Sequence, residues 1–372
     1  MALWRTISSN AGFLVPARVR RWVEKRFASP AKDPKATPKI LTIDIVGACN
    51  LRCPSCPVGN TGPVNESGLM STELFQRIID KAAAEFDICG VLLFNWTESL
   101  LHPELPEFIR IVKRKNLGCM LSSNLNILRN IDEILNAGPD HFRISLSGFS
   151  QEIYGKTHLH GQIERVKENM RLLSAAKKRL KAHKTKIAVY FHKYRHNMHE
   201  IEPMKRFAHE LGFDFEDTWA YYMPLEKLLQ LMEGGLPEKE QRFVEEQFAL
   251  PIVESVEAAK QIHDISRCYL LEDHLVVNVK GDVALCCTVY DMNGPSNLGH
   301  FVDMTVEDVK KAKSRHPTCD SCAKHNIFLH YTYYDVPELA KTYEHLAARN
   351  LASPASPCKS LSLPIVDAEV VA

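Results

Sequence analysis

No segment of the chain approaches the roughly 20 consecutive apolar residues that a membrane helix requires. Nor is there an excess of one charge, since 46 Lys and Arg stand against 45 Asp and Glu. The first absence argues against a helical membrane span. The second leaves no electrostatic footprint for nucleic acid or an anionic membrane. The N-terminus, MALWRTISSNAGFLVPARVRRW, lacks both an uninterrupted apolar core and a small-residue cleavage site, so no secretory signal is expected. The glycine fingerprint GxGxxG of dinucleotide binding is missing after the first strand, and no repeat of solenoid period is present. These absences leave a soluble, cytoplasmic protein with material for one large domain and a smaller one. Near the N-terminus, read as a helix, Trp4, Phe13, Val15 and Val19 form an apolar face beside Arg5, Arg18, Arg20 and Arg21. Such a face suits packing onto the rest of the protein or, less commonly, contact with a membrane surface.

Cysteine, by contrast, is plentiful. Seven of the eleven fall into two groups, Cys49/Cys53/Cys56 and Cys268/Cys286/Cys319/Cys322, while Cys89, Cys119, Cys287 and Cys358 stand apart. Clustered cysteines in an intracellular chain point to metal or catalysis rather than to a disulfide framework. Around them, strand-like and helix-like segments alternate. The strands read at 39–46, 89–96, 118–124, 141–148, 185–193 and 213–220, with helices at 71–86, 104–115, 130–137, 161–182 and 199–211. Six strand–helix repeats in one direction predict an α/β barrel or a doubly wound sheet. Residues 224–263 break the pattern with one or two charged helices. DHLVVNVKGDVALCC then reads as a β-hairpin turning at Lys280-Gly281-Asp282. The last stretch, SPASPCKSLSLPIVDAEVVA, reads as a loose tail.

The first cysteine group, ACNLRCPSCPVGN, follows the first strand in a C-x3-C-x2-C spacing. Three thiolates on a cubane of four irons leave one iron open to chelate a small molecule through an amine and a carboxylate. Zinc is the competing reading, but it prefers four closed ligands. The position after a strand is where barrel enzymes assemble their sites. With this motif, residues 40–220 resemble the radical S-adenosylmethionine (SAM) superfamily, whose members fold as a partial six-stranded α/β barrel. The resemblance implies a [4Fe–4S] cluster on Cys49, Cys53 and Cys56, SAM at the open iron, and reductive cleavage to a 5′-deoxyadenosyl radical. It also implies cofactor contacts from Trp96 and Glu98 in Asn95-Trp96-Thr97-Glu98, which stands where the family has Gly-Gly-Glu and is followed by SLLHPELPEF. Further SAM contacts are implied for Asn124 in Ser122-Ser123-Asn124, and for Ser145 and Ser147 in Ser145-Leu146-Ser147-Gly148. Trp96 and Thr97 depart from the family's two glycines.

In the second group, 17 residues separate Cys268 from Cys286, and 32 separate Cys286 from the Cys319-Asp320-Ser321-Cys322 pair. Four cysteines can close the coordination of a cubane, or bind zinc. Residues 268–325 resemble the twitch or shortened SPASM extension of radical SAM proteins, which implies one auxiliary [4Fe–4S] cluster on these four cysteines. Cys287 is either a small core residue or a thiol that returns a hydrogen atom to a substrate radical.

The expected fold is therefore α/β: a partial (β/α)6 TIM-like barrel followed by a small C-terminal twitch/SPASM-like cluster-binding domain. The expected boundaries are an N-terminal extension at 1–38, the barrel at 39–222, a helical linker at 223–264, the auxiliary domain at 265–335, and a helix with tail at 336–372. Relatives implied by the resemblance include an aminocyclitol dehydrogenase and the cyclase of molybdenum-cofactor synthesis. The latter ends in Gly-Gly-Arg where this chain ends in Val-Val-Ala, so that assignment is not expected. Only 48 residues precede Cys49, too few for the peptide-recognition domain of many SPASM relatives. The leading expectation is hydrogen abstraction from a small polar substrate, sugar-like, cyclitol-like or another natural-product precursor, with net oxidation or epimerisation. A flavodoxin- or ferredoxin-like reductant is implied. A peptide maturase with a separate recognition partner is the second reading, and a non-catalytic cluster or zinc scaffold the third. Tyr190, His192, Lys193, Trp219, Tyr221 and Tyr222 at strand ends are substrate-side candidates. His325, His330, Tyr331, Tyr333 and Tyr334 either cap the barrel or form a buried cluster.

Overall fold

The computed structural model describes residues 39–62, 67–263, 268–314 and 316–352. The N-terminal amphipathic segment, the C-terminal tail with Cys358, and the linker's end at 264 lie outside the described residues. Among the described residues, no helix is long and apolar enough to cross a membrane.

Six parallel strands form the body: β1 (Ile40–Ile43), β2 (Gly90–Leu92), β3 (Gly118–Ser123), β4 (His141–Leu146), β5 (Lys186–Lys193) and β6 (Asp214–Trp219). They pair in sequence order, β1 to β6, as the expected partial (β/α)6 barrel requires. β1, β2 and β3 are buried along their whole length, which is why the segment around β2, CGVLLF, reads as a continuous apolar run. The crossover helices carry the complementary stripe. In Thr72–Glu85, Phe75, Ile78, Ile79 and Ala82 share the buried face. Ser71 caps that helix by accepting from the Leu74 N–H, and Phe75 stacks on Phe108 of the next helix at 4.2 Å.

Two expectations are corrected by local chemistry. Residues 224–263 form three helices, Leu225–Met232, Glu238–Gln247 and Ile252–Lys260, because Pro237 and Pro251 each end one run and start the next. A short helix, Gln151–Thr157, also precedes the long helix Ile163–Arg179, capped by Ser150 accepting from Ile153 N–H.

The hairpin forms as β7 (His274–Val277) and β8 (Asp282–Ala284), with β9 (Asn297–His300) added antiparallel. At its turn Gly281 has φ +91, and a Cβ there would meet the His300 ring at 2.6 Å, so glycine is required twice over. β7 pairs in parallel with β1, Ile40 against His274 through Ile43 against Val277. The barrel strands and the auxiliary hairpin thus share one nine-stranded sheet. Two large apolar cores result, one under the barrel helices and a second among the helices of 225–260 and 327–352, where Cys286 and Cys287 are buried; Ile40, Cys89, Leu92, Phe94 and Met120 form a small third.

Candidate radical SAM site

The loop after β1 carries the first cysteines and is fixed by its backbone. Arg52 Nη1 donates to the carbonyls of Cys49 (2.7 Å) and Leu51 (2.9 Å). Cys56 caps a single helical turn at Pro57–Asn60, with its carbonyl accepting from Gly59 and Asn60 N–H. Gly59 lies so close to the loop that a Cβ would stand 2.2 Å from the Cys53 carbonyl oxygen. The three thiols line one cavity of about 200 Å³. None of the ten described cysteines is in a disulfide.

Burial pushes the Cys49 thiol up to about 12, with Glu98 adding to the shift, and the Cys56 thiol up to about 11. Cys53 is raised by burial and by its two neighbours. Three anions so placed need a bound cation to exist together, as a metal-binding thiolate set does. Among the described residues no three His, Cys, Asp or Glu converge closely enough for a single ion. The thiols instead ring the cavity, a donor set that fits an iron–sulfur cubane.

The cavity walls come from the C-terminal ends of β2 to β5. Trp96, Asn124, Ser145 and Ser147 line it together with Ser122, Ser123, Thr157, His158 and His192. Asn124 Nδ2 donates to Asn50 Oδ1 (2.9 Å) and lies 3.8 Å from Cys49 Sγ, tying β3 to the cysteine loop. Glu98 is placed differently. Its carboxylate accepts from Leu100 N–H (3.0 Å) and Asn124 N–H (2.9 Å), and it does not line the cavity. Burial raises it to about 7 despite those hydrogen bonds. Of the substrate-side candidates, His192 and Tyr221 reach the cavity. Lys193 is taken by Asp217 (2.8 Å) and lies over the Trp219 ring, Tyr222 donates to Glu240, and His330 is hydrogen-bonded to Tyr343 in the second core. Cys287 is fully buried in that core and is absent from the cavity wall.

Three further positions escape a reading of spacing alone. Asp44, just past β1, accepts from the N–H groups of Asn95 (2.8 Å), Trp96 (3.2 Å) and Thr97 (3.3 Å) and from Thr97 Oγ1 (2.7 Å). One carboxylate thereby holds the loop in which the family's glycines are missing. Glu200 does the same for the loop after β4, accepting from Phe149 and Ser150 N–H. Arg143, on β4, lines the cavity, donates from Nε to Ser122 Oγ (2.9 Å) and stacks on Phe94 and Tyr190. Burial lowers it to about 10, so it stays cationic and suits an anionic group. The one sequence signal for it is a charge at a buried position of HFRISL.

Trp96 explains its own departure from glycine. Its Nε1 donates to the Val289 carbonyl (3.1 Å) and its ring meets Tyr290 edge-on, joining the cavity loop to the auxiliary segment. Tyr290 in turn donates to the Gly62 carbonyl behind the first cysteines. Trp96→Gly is expected to destabilise the protein by about 2–3 kcal/mol from lost packing and one hydrogen bond. Trp96→Phe, which keeps a ring but no donor, should lose about 1 kcal/mol. Denaturant unfolding of the three proteins tests this; equal stabilities would mean the joint is held elsewhere.

The second cysteine group is also brought together. Cys268 precedes a single turn at Tyr269–Glu272, Cys286 follows β8, and Cys319 and Cys322 lie on the helix Pro317–Lys324. Their charges are felt mutually, Cys322 by Cys268, Cys286 and Cys319, and burial raises each thiol. One buried and three partly buried thiols within range of one another's charge fit the closed coordination of a cubane.

These two sites define the class. Residues 43–208 match the radical SAM superfamily and residues 268–324 the SPASM iron–sulfur cluster-binding domain. The chain belongs to the radical SAM enzymes that carry a C-terminal SPASM domain, with SAM and [4Fe–4S] clusters as the cofactors of that class. Among curated proteins it is 24% identical over 180 residues to the tungsten-containing aldehyde ferredoxin oxidoreductase cofactor-modifying protein of Pyrococcus furiosus, covering 47% of this chain and 49% of that one. It is 28% identical over 138 residues to the GTP 3′,8-cyclase of Chlorobaculum tepidum, covering 36% and 40%. The match thus spans half or less of these relatives. The fold is shared with Streptococcus suis SuiB bound to S-adenosylmethionine (TM-score 0.54, 13% identity, 84% of this chain and 75% of that). It is shared also with anSMEcpe bound to AdoMet (TM-score 0.52, 15% identity, 84% and 98%).

Proposed function

We propose that this radical SAM enzyme abstracts hydrogen from a small polar substrate, sugar-like, cyclitol-like or a related biosynthetic precursor, and that the outcome is a net oxidation or an epimerisation. The observation that carries this reading is the cavity. It joins the Cys49/Cys53/Cys56 thiols to a wall of serines, His158, His192 and Arg143, and ends at Tyr221. Tyr221 packs on Tyr331, which feels the charges of Cys322 and Cys286. A substrate in the cavity would therefore lie between the two cysteine sites.

When bound, the first cluster and SAM supply one-electron cleavage of SAM and hydrogen-atom abstraction. The chain's own residues do the rest. Cys49, Cys53 and Cys56 would hold the first cluster, and Cys268, Cys286, Cys319 and Cys322 the auxiliary one. Asn124, Ser145, Ser147 and the 95–97 loop would orient SAM, and Arg143 would take an anionic group. His192 and His158, both held neutral by burial, can accept hydrogen bonds from a substrate hydroxyl. The small-molecule reading is supported by the names of the relatives above, which act on a cofactor and on GTP. A flavodoxin- or ferredoxin-like protein would supply the electron.

The test is deuterium transfer. Reconstituted enzyme, SAM and a panel of carbon-deuterated sugars and aminocyclitols should yield deuterated 5′-deoxyadenosine with at least one member. Transfer only from deuterated peptides would replace this reading with peptide maturation. Folded, fully loaded enzyme that never cleaves SAM would favour a scaffold.

A further inference from the structure

We propose that Lys313 is a built-in positive charge beside the auxiliary cluster, placed to make that cluster easier to reduce and so a better electron acceptor. The proposal rests on the reading that Cys268, Cys286, Cys319 and Cys322 hold the cluster.

The helix Val306–Lys313 shows only Val309 and Lys313 as buried residues, four apart on one face. Lys313 thus occupies a position where the helical pattern calls for an apolar side chain. It is 7% exposed. Its Nζ donates to the carbonyls of Leu271 (2.7 Å) and His274 (2.5 Å), which fix the ammonium between the turn after Cys268 and the start of β7. Among the described residues no carboxylate pairs with it. The charges it feels are those of Cys286, Cys287, Cys268 and Cys319, and Cys286 and Cys319 feel it in return.

A buried ammonium without a counter-charge is strongly unfavourable. Here the counter-charge is the thiolate set itself, once metal has displaced its protons. A cubane held by four thiolates carries net negative charge, and one-electron reduction adds another unit. A fixed neighbouring cation stabilises the reduced form more than the oxidised one, and net charge near a cluster is among the terms that set its potential. Lys313 acts through the cluster, so it is a positioning residue rather than a catalytic one.

The test uses the full chain with Cys49/Cys53/Cys56→Ala, so that only the auxiliary cluster reports. This protein is compared with the same protein carrying Lys313→Met, Lys313→Gln or Lys313→Arg. Each is loaded anaerobically, its iron is counted, and the cluster is titrated potentiometrically by electron paramagnetic resonance. At the parent's midpoint, Lys313→Met and Lys313→Gln should lower the ratio of reduced to oxidised cluster at least tenfold, a shift of about 59 mV for one electron. Lys313→Arg should stay within about threefold. A lost structural contact would lower the unfolding midpoint but leave the potential alone. Unchanged potential in the neutral variants at full iron content overturns the proposal. So does loss of iron from both neutral variants while Lys313→Arg still loads, because the lysine would then serve assembly. A parent that binds no iron removes the cluster reading itself, which separates that failure from a failure of Lys313.

Discussion

Replacing Cys49, Cys53 and Cys56 together by alanine is expected to halve the iron of the reconstituted protein, from about eight atoms per chain to about four, and to abolish SAM cleavage to 5′-deoxyadenosine. The fold should survive the change. The loop is held by Arg52 on the carbonyls of Cys49 and Leu51 and by the turn at Pro57–Asn60, none of which uses a thiol. Auxiliary loading should survive too, since that site is built on β8 and the helix Pro317–Lys324. The expected pattern is separable: half the iron lost, all of the SAM chemistry lost, circular dichroism unchanged. Iron, zinc and 5′-deoxyadenosine measured on the same samples check it. About four irons with one zinc in the unaltered protein would make the second site structural and remove the electron acceptor from the proposed oxidation. Continued SAM cleavage in the alanine variant would displace the catalytic cluster from these cysteines.

What could be read in advance, and what could not, divides by the range of the interactions. The C-x3-C-x2-C spacing and the helix Thr72–Glu85 are local, one a matter of thiol spacing and the other of a Ser71 cap with apolar residues in helical period. The Gly281 turn is local as well. The pairing of β7 with β1 is not, because it joins Ile40 to His274 across the whole barrel and leaves no trace in either short strand. Asp44 and Glu200 look in sequence like solvated carboxylates, and Glu98 like a cofactor contact. In the fold each is buried and accepts backbone N–H groups from a neighbouring loop, so their role depends on which loop arrives beside them. Trp96 reads as a departure from a glycine pattern until Val289 is placed against it. Lys313 sits in the charged run KKAKSR, where only burial distinguishes it from Lys310 and Lys311.

Stability is expected to fall steeply in mild acid, and the cause lies in five histidines. His141, His158, His192 and His330 are each held down to about 3, and His196 to about 4, chiefly by burial. In the unfolded chain each titrates near the ordinary value of about 6.5. Below that value the unfolded chain takes up protons that the fold refuses, so stability is full above about 6.5 and is lost as pH falls. Glu98 works in the opposite sense. Raised to about 7, it binds a proton in the fold before the unfolded chain does and gains stability over part of the same range; Asp44, raised by burial, adds to this offset. Five histidines against Glu98 and Asp44 leave a net of about three protons, or up to about 4 kcal/mol for each pH unit below about 6. Against a total of roughly 5–15 kcal/mol, the loss of about 4 kcal/mol between about pH 6 and about pH 5 removes a large share of the stability. Denaturant unfolding of anaerobically reconstituted protein between pH 5 and 7.5 gives the slope directly. His141→Gln, which removes one titrating ring at a site away from the cavity, should flatten the slope by about 1 kcal/mol per pH unit. A slope indifferent to that substitution, or greater stability at pH 5 than at pH 7, would show that these rings do not control the acid limit.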